Sequence, residues 1–272
     1  MSTPLVPDDA LVQFYTAGYD ESARLARPKS RVEFLRTQEL LRGRLPAAPA
    51  RILDVGGGTG AHAAWLAADG YQVDLVDLVP DHVRLAREMA GRLSEAFAAR
   101  VGDARSLQYA DSSVDACLLL GPLYHLPAAA DRAAALAEAA RVTRRGGLVC
   151  AAAISRYAWP LYALRDGFCL SAERTESIAA TFANGLEDPV GELPVAFSHR
   201  PRELAAELKD AGLVDVEALG IEGPGWPLFT PDLAEDRVED LLKDAIAAAR
   251  LCDGHPEMTA VSAHLLACGH RV

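Results

Sequence analysis

The 272-residue sequence predicts an α/β fold: a doubly wound parallel sheet with helices on both faces and an inserted cap. Three observations predict it. Between Ile52 and Ile154, short β-branched or apolar runs alternate with Ala- and Leu-rich helical runs, the rhythm of parallel βαβ units. The first strand runs straight into Gly56-Gly57-Gly58-Thr59-Gly60, where the chain must turn sharply and bring its backbone close to a ligand. After Ser155 the rhythm breaks, then resumes with a helix, a strand and a closing strand.

Residues 8–45 read as two helices. The first spans Asp8 to Leu25, with Leu11, Phe14, Tyr15 and Tyr19 near helical spacing and Gly18 as a point of interruption. Ser30 is the expected N-cap of the second, which carries Val32, Leu35, Leu40 and Leu41. Strand one is 51–55, and a helix over 60–69 ends at Gly70. Strand two is 71–78; the next helix starts at Pro80, a residue suited to a first turn, and runs to Ala98. Strand three is 100–102, and strand four, 114–120, stops at Gly121-Pro122. A helix over 127–143 leads through Gly146-Gly147 into strand five, 148–154. Residues 156–199, with Tyr157, Trp159, Tyr162, Phe168, Phe182 and Phe197, form the cap. A helix over 201–211 and a strand over 213–221 follow. An irregular stretch, 222–231, precedes a helix over 232–250 and the closing strand 261–269.

The net charge of −11 argues against nucleic acid as a partner and weakly against anionic membranes, because a phosphate backbone needs clustered Lys and Arg. The five cysteines form no C-x-x-C pair and no zinc spacing, so no metal is expected and a reducing cytoplasm is. The amino terminus lacks the basic and apolar regions of a signal peptide, and no apolar run is long enough to span a membrane. The expected partner is therefore a small molecule; oligomeric state is left open.

Two cofactor fingerprints fit the glycine turn. Gly56, Gly58 and Ala61 satisfy the dinucleotide pattern G-x-G-x-x-G/A, whereas Asp54, Gly56, Gly58 and Gly60 satisfy acidic-x-G-x-G-x-G. Both use Asp77, at the end of strand two, for ribose hydroxyls. They part at Asp54. A carboxylate there would repel a pyrophosphate but would suit a ligand carrying a sulfonium and an amino group. Gly102-Asp103-Ala104, after strand three, adds an acceptor for an adenine amino group.

With these residues in place, the chain resembles class I S-adenosylmethionine (SAM)-dependent methyltransferases over 50–155, and in outline over 200–272. The matching segments are Ile52–Gly60, Val76–Leu78, Gly102–Ala104, Asp115–Gly121 and Arg144–Leu148. Arg145 stands where the family usually has Pro. Gly121-Pro-Leu-Tyr-His-Leu126 is similar to the ubiquinone-biosynthesis-like subgroup of small-molecule methyltransferases. The resemblance implies a seven-stranded, mostly parallel sheet whose last strand is antiparallel, SAM as cofactor and S-adenosylhomocysteine as product. It implies that Gly56, Gly58 and Gly60 admit the methionine part, that Asp54 orders that end, and that Asp77 takes the ribose with Leu78 against the adenine. Asp103 and Ala104 would bind the adenine edge, and Gly121 would lie beside the sulfur. Residues 1–48 would close over the cofactor, with Tyr15, Tyr19 and Arg24 meeting its carboxylate. Residues 49–155 would be the SAM-binding core, 156–199 the cap, and 200–272 the remaining sheet with a second lid segment at 222–258.

Methyl transfer needs alignment and exclusion of water, and a base only if the acceptor arrives protonated. His125, just past strand four, is the best-placed base, and Tyr124 beside it could orient an acceptor. His199 is a weaker candidate, and His264, inside an apolar strand, reads as a satisfied core histidine. Trp159, Phe168, Trp226 and Phe229 favour an apolar or aromatic acceptor. The rival expectations are a SAM-binding protein without methyl transfer and an NAD-dependent oxidoreductase.

Overall fold

The computed structural model describes residues 7–17, 24, 27–168, 170–186 and 196–272. Tyr19, Gly18 and Cys169 lie outside the described residues, as do the acidic positions Glu187, Asp188 and Glu192.

The sheet comprises β1 (Arg51–Val55), β2 (Gln72–Asp77), β3 (Ala98–Val101), β4 (Val114–Leu119), β5 (Thr143–Ser155), β7 (Leu213–Gly220) and β8 (His264–Arg271), in the order β3-β2-β1-β4-β5-β8-β7. A two-residue strand, β6 (Ser198–His199), pairs in parallel with the end of β5. The pairs among β1 to β5 are parallel, and β8 runs antiparallel between β5 and β7. This is the expected doubly wound sheet with its last strand reversed. The order switches between β1 and β4, so a crevice opens above their carboxyl ends.

Side chains along a strand alternate between faces, and here both faces are covered. Leu53, Val55, Cys117 and Leu119 face one layer, with Leu136, Leu204 and Leu208. Ile52, Ala116 and Leu118 face the other, with Leu40, Leu41, Leu66 and Ala86. The first layer is formed by α5 (Ala129–Val142) and α8 (Pro201–Asp210), and the second by α2 (Pro28–Arg42), α3 (Ala61–Ala68) and α4 (Pro80–Ala90). Proline opens α2, α4 and α8, where its missing N–H costs nothing.

The first helix, α1, spans Pro7–Thr16. Across the break after β5 come α6 (Ala158–Arg165) and α7 (Ala172–Asn184). A 3-10 turn, Gly223–Leu228, then leads to α9 (Glu235–Cys252). Trp226 packs with Ala158, Tyr162 and Ala263, while Phe229 packs with Val32 and Leu242.

Several boundaries differ from the sequence reading: Arg27 rather than Ser30 is the N-cap of α2, and the closing strand is His264–Arg271 rather than 261–269. Helix α4 stops at Ala90, with Gly91 as its C-cap, rather than continuing to Ala98. Strand β5 starts at Thr143, directly after α5 and without a loop. Its early part bulges: Val114 pairs with Thr143, yet Ala116 pairs with Leu148, so the segment through Gly146 (φ +70°) is extra length on one side of the ladder. A bulge carries no hydrophobic alternation and so is silent in the sequence.

Candidate cofactor site

A cleft opens at the carboxyl ends of β1, β2 and β4. Val55, Gly56 and Gly58 line it from β1 and its turn; Asp77, Leu78, Val79 and His82 line it from β2 and α4. Gly102, Asp103, Ala104 and Arg105 close one side, and Gly121, Pro122, Tyr124, His125 and Leu126 the other. Leu11 and Tyr15 of α1 lie across it. Another hollow, near Arg51, Tyr71 and Asp74, sits at the amino ends of β1 and β2, on the wrong edge of the sheet for this chemistry.

The turn after β1 can form only with glycine. Gly56 has φ +71°, and a Cβ there would lie 2.6 Å from Cδ of Pro122. Gly60 lies further along the same turn. It is the N-cap of α3, outside the cleft lining, and a Cβ on it would meet the Phe97 ring at 2.7 Å.

Asp54 is fully buried beneath this turn, with Oδ2 2.6 Å from where a Gly57 Cβ would be. Both its carboxylate oxygens lack a hydrogen-bond partner. Burial, reinforced by the Asp77 charge, pushes its pKa up to about 7. An unpaired buried carboxylate under a ligand cleft fits a cationic ligand and not a pyrophosphate.

Asp77 accepts from the Gly58 N–H at Oδ2 (2.9 Å) and from the Val79 N–H at Oδ1 (2.9 Å). His82 Nδ1 is also bonded to Oδ1, at 3.2 Å. Asp103 is held by Arg105, whose backbone N–H and guanidinium both donate to it. Burial would raise the Asp103 pKa, but these bonds hold it below the ordinary carboxylate range.

On the opposite wall His125 stands at the end of a short 3-10 turn, Pro122–His125. Its Nε2 is 2.9 Å from the Tyr15 hydroxyl, and its Nδ1 is buried without a partner. Tyr124 and Tyr15 both present edge contacts to its ring, at 4.6 and 5.6 Å between centroids. Burial pushes its pKa down to about 4; Asp77 opposes this, and Arg24 and His82 add to it. Arg24 itself binds Glu33 at 2.9 Å, beyond the cleft lining, although its charge reaches His125.

Several candidates lie elsewhere. His199 is fully buried, with Nε2 3.1 Å from Glu207 of α8. His264 is in very close contact with Glu222, and its backbone N–H donates to the same carboxylate. Burial would lower the His264 pKa, but Glu33 and Glu222 outweigh it and raise it to about 9. Glu33, Glu222 and His264 converge as three metal donors could, yet Glu222 is already spent on His264 and Glu33 on Arg24. Phe168 is exposed, and Trp159, Trp226 and Phe229 are not in the cleft lining. Sequence reasoning missed His82, Arg105, Leu11 and Pro122. Only His82 left a signal, a histidine in the first turn of the helix that follows Asp77.

Fold and cleft together define a Rossmann-like protein with a SAM-type site. A methyltransferase domain family model matches residues 53–151. The chain is similar to class I SAM-dependent methyltransferases, whose cofactor is SAM. It is 34% identical over 167 residues to a demethylmenaquinone methyltransferase of Beutenbergia cavernae, covering 60% of this chain and 65% of that one. It is 29% identical over 194 residues to a ubiquinone biosynthesis O-methyltransferase of Xanthomonas axonopodis pv. citri, covering 69% and 72%. The fold matches a SAM-dependent methyltransferase structure from Thermotoga maritima with a TM-score of 0.60 at 15% identity, covering 96% of this chain and all of the other. The chain thus spans roughly two thirds of the length of these two curated relatives. Among the described residues no helix is long and apolar enough to cross a membrane.

Proposed function

We propose that the protein transfers the methyl group of SAM to a small, apolar or aromatic acceptor bearing a hydroxyl, with His125 as the base. The observation that carries this reading is the neutral, half-buried His125, set between Tyr15 and Tyr124 on the wall beside Gly121. When bound, SAM supplies a methyl already activated on a cationic sulfur, so the chain's residues mainly align and dehydrate the acceptor. The similarity to a demethylmenaquinone methyltransferase and a ubiquinone biosynthesis O-methyltransferase supports an aromatic acceptor.

As a base, His125 keeps its hydrogen on Nε2, donated to Tyr15, and leaves Nδ1 bare. A pKa near 4 keeps it unprotonated at neutral pH but makes it a weak base. It would take the acceptor's proton as transfer proceeds rather than ionise the acceptor beforehand. Tyr124, whose ring packs on His125, would hold the acceptor in line. In this reading Asp54, Asp77, Leu78, Asp103, Ala104, Gly56, Gly58 and Gly121 hold the cofactor, and α1 covers it through Tyr15. Residues 156–199 and 222–258 would enclose the acceptor.

The test is formation of S-adenosylhomocysteine with a panel of phenols, amines and acids. Turnover with hydroxylated aromatics alone is the expected result; tight SAM binding with no turnover on any acceptor class would leave a binding protein instead. The Asp77→Ala protein should lose at least about tenfold in SAM affinity by isothermal titration, since hydrogen bonds to a charged group are worth about 1.5–3 kcal/mol each. Unchanged affinity would remove Asp77 from the ribose site.

A further inference from the structure

We infer that His82 is a second ribose-reading residue, accepting one hydroxyl of the cofactor's vicinal diol through Nε2 while Asp77 accepts the other. The inference rests on the SAM reading of the cleft. It begins with a count of acceptors. An ionised carboxylate offers about four lone-pair sites. Asp77 already receives three hydrogens, from the Gly58 N–H, the Val79 N–H and His82 Nδ1. About one site is left, and a ribose brings two O–H donors.

The missing acceptor stands next to Asp77. His82 is buried, lines the cleft, and its Nε2 has no partner. Its tautomer follows from its neighbour. A carboxylate can only accept, so the hydrogen shared with Asp77 sits on Nδ1, and in the uncharged form of the ring Nε2 is a bare acceptor. The position is held on two sides. Pro80 starts α4 and places His82 in its first turn, and the Tyr15 ring meets the imidazole edge-on at 4.9 Å between centroids. Any apolar side chain at position 82 would pack equally well against Tyr15. A histidine bonded to Asp77 with its far nitrogen unpaired is costly unless a ligand completes it. The adenine amino group is the poorer fit for this nitrogen, because Asp103 waits for it at the end of β3, on another side of the cleft.

The experiment is calorimetric titration of the full chain with S-adenosylhomocysteine and with its 2′-deoxy and 3′-deoxy analogues, on the parent, His82→Leu and His82→Gln. The parent should bind the homocysteine product and lose about tenfold on removal of either hydroxyl, the worth of one buried hydrogen bond. His82→Leu should bind the intact product about tenfold more weakly. It should also be indifferent to loss of one particular hydroxyl while still penalising loss of the other. His82→Gln, which returns an acceptor near the Nε2 position, should recover that discrimination; a merely structural histidine would not show this split between the two analogues. If His82→Leu discriminates against both deoxy analogues as the parent does, the inference is overturned. If the parent fails to bind the homocysteine product at all, the SAM reading falls first and takes this inference with it.

Discussion

Asp54→Asn should flatten the pH dependence of stability and, in the same protein, weaken the cofactor. The Asp54 carboxyl is fully buried and its pKa rises from 3.8 to about 7. An acid with a raised folded-state pKa favours the fold below its unfolded value and withdraws that favour as pH climbs to the folded value. Across the interval from pH 3.8 to about 7 the cost to the empty protein comes to about 4 kcal/mol, at roughly 1.4 kcal/mol per pKa unit. Urea melts at pH 5 and pH 8 should therefore show a drop for the parent that the D54N protein lacks. Binding should run the other way. A sulfonium and an ammonium favour the ionised carboxylate, so parent affinity for SAM should rise between pH 6 and 8 with release of a proton. The variant should bind more weakly at pH 8 and release none. Equal pH slopes for the two proteins would show that Asp54 carries no such linkage.

His125→Ala should cut turnover by roughly 10²- to 10⁴-fold, the usual contribution of a positioned base, while SAM affinity changes only a few-fold. Parallel loss of both would mean that the ring supports the cleft instead of the reaction. A separate effect on stability has a definite sign. A histidine whose folded pKa is lowered supports the fold above pH 6.5 and loses that support as pH falls towards about 4. The parent should thus be destabilised in that window by about 3 kcal/mol from this group, at roughly 1.4 kcal/mol per unit. H125A should remove the dependence. His62, whose pKa burial also lowers to about 4, contributes a similar slope in both proteins, so the difference between them isolates His125.

The inner strands were legible because both of their faces are buried. β1, β2 and β4 are short, nearly continuous apolar runs, and each was placed to within a residue. The glycine turn, Asp77 and the Gly121–His125 corner were readable for a related reason: sheet topology dictates which residues stand above the strand ends. What could not be read depends on contacts between distant segments. Nothing local reveals that Gly60 makes room for Phe97, or that Tyr15 reaches His125 across 110 positions of chain. The cap aromatics show the limit of composition as a guide. Trp226 and Phe229 are large and apolar, as a pocket would want, but they are consumed in small cores of their own.

The reversed strand β8 bears on how the protein is made. It consists of His264–Arg271, nearly the last residues of the chain, yet it lies between β5 and β7 with partners on both sides. During synthesis β1 to β5 emerge first and can pair with one another, but β5 then has a bare hydrogen-bonding edge until His264–Arg271 follows. Such an edge is a template for another nascent chain. A chain cut before Ser262 should consequently be recovered as aggregate, measurable by the soluble fraction after expression, even though every cleft-lining residue from Leu11 to Leu126 is still present. The wedge that finishes the sheet is the strand that follows all the others in the chain.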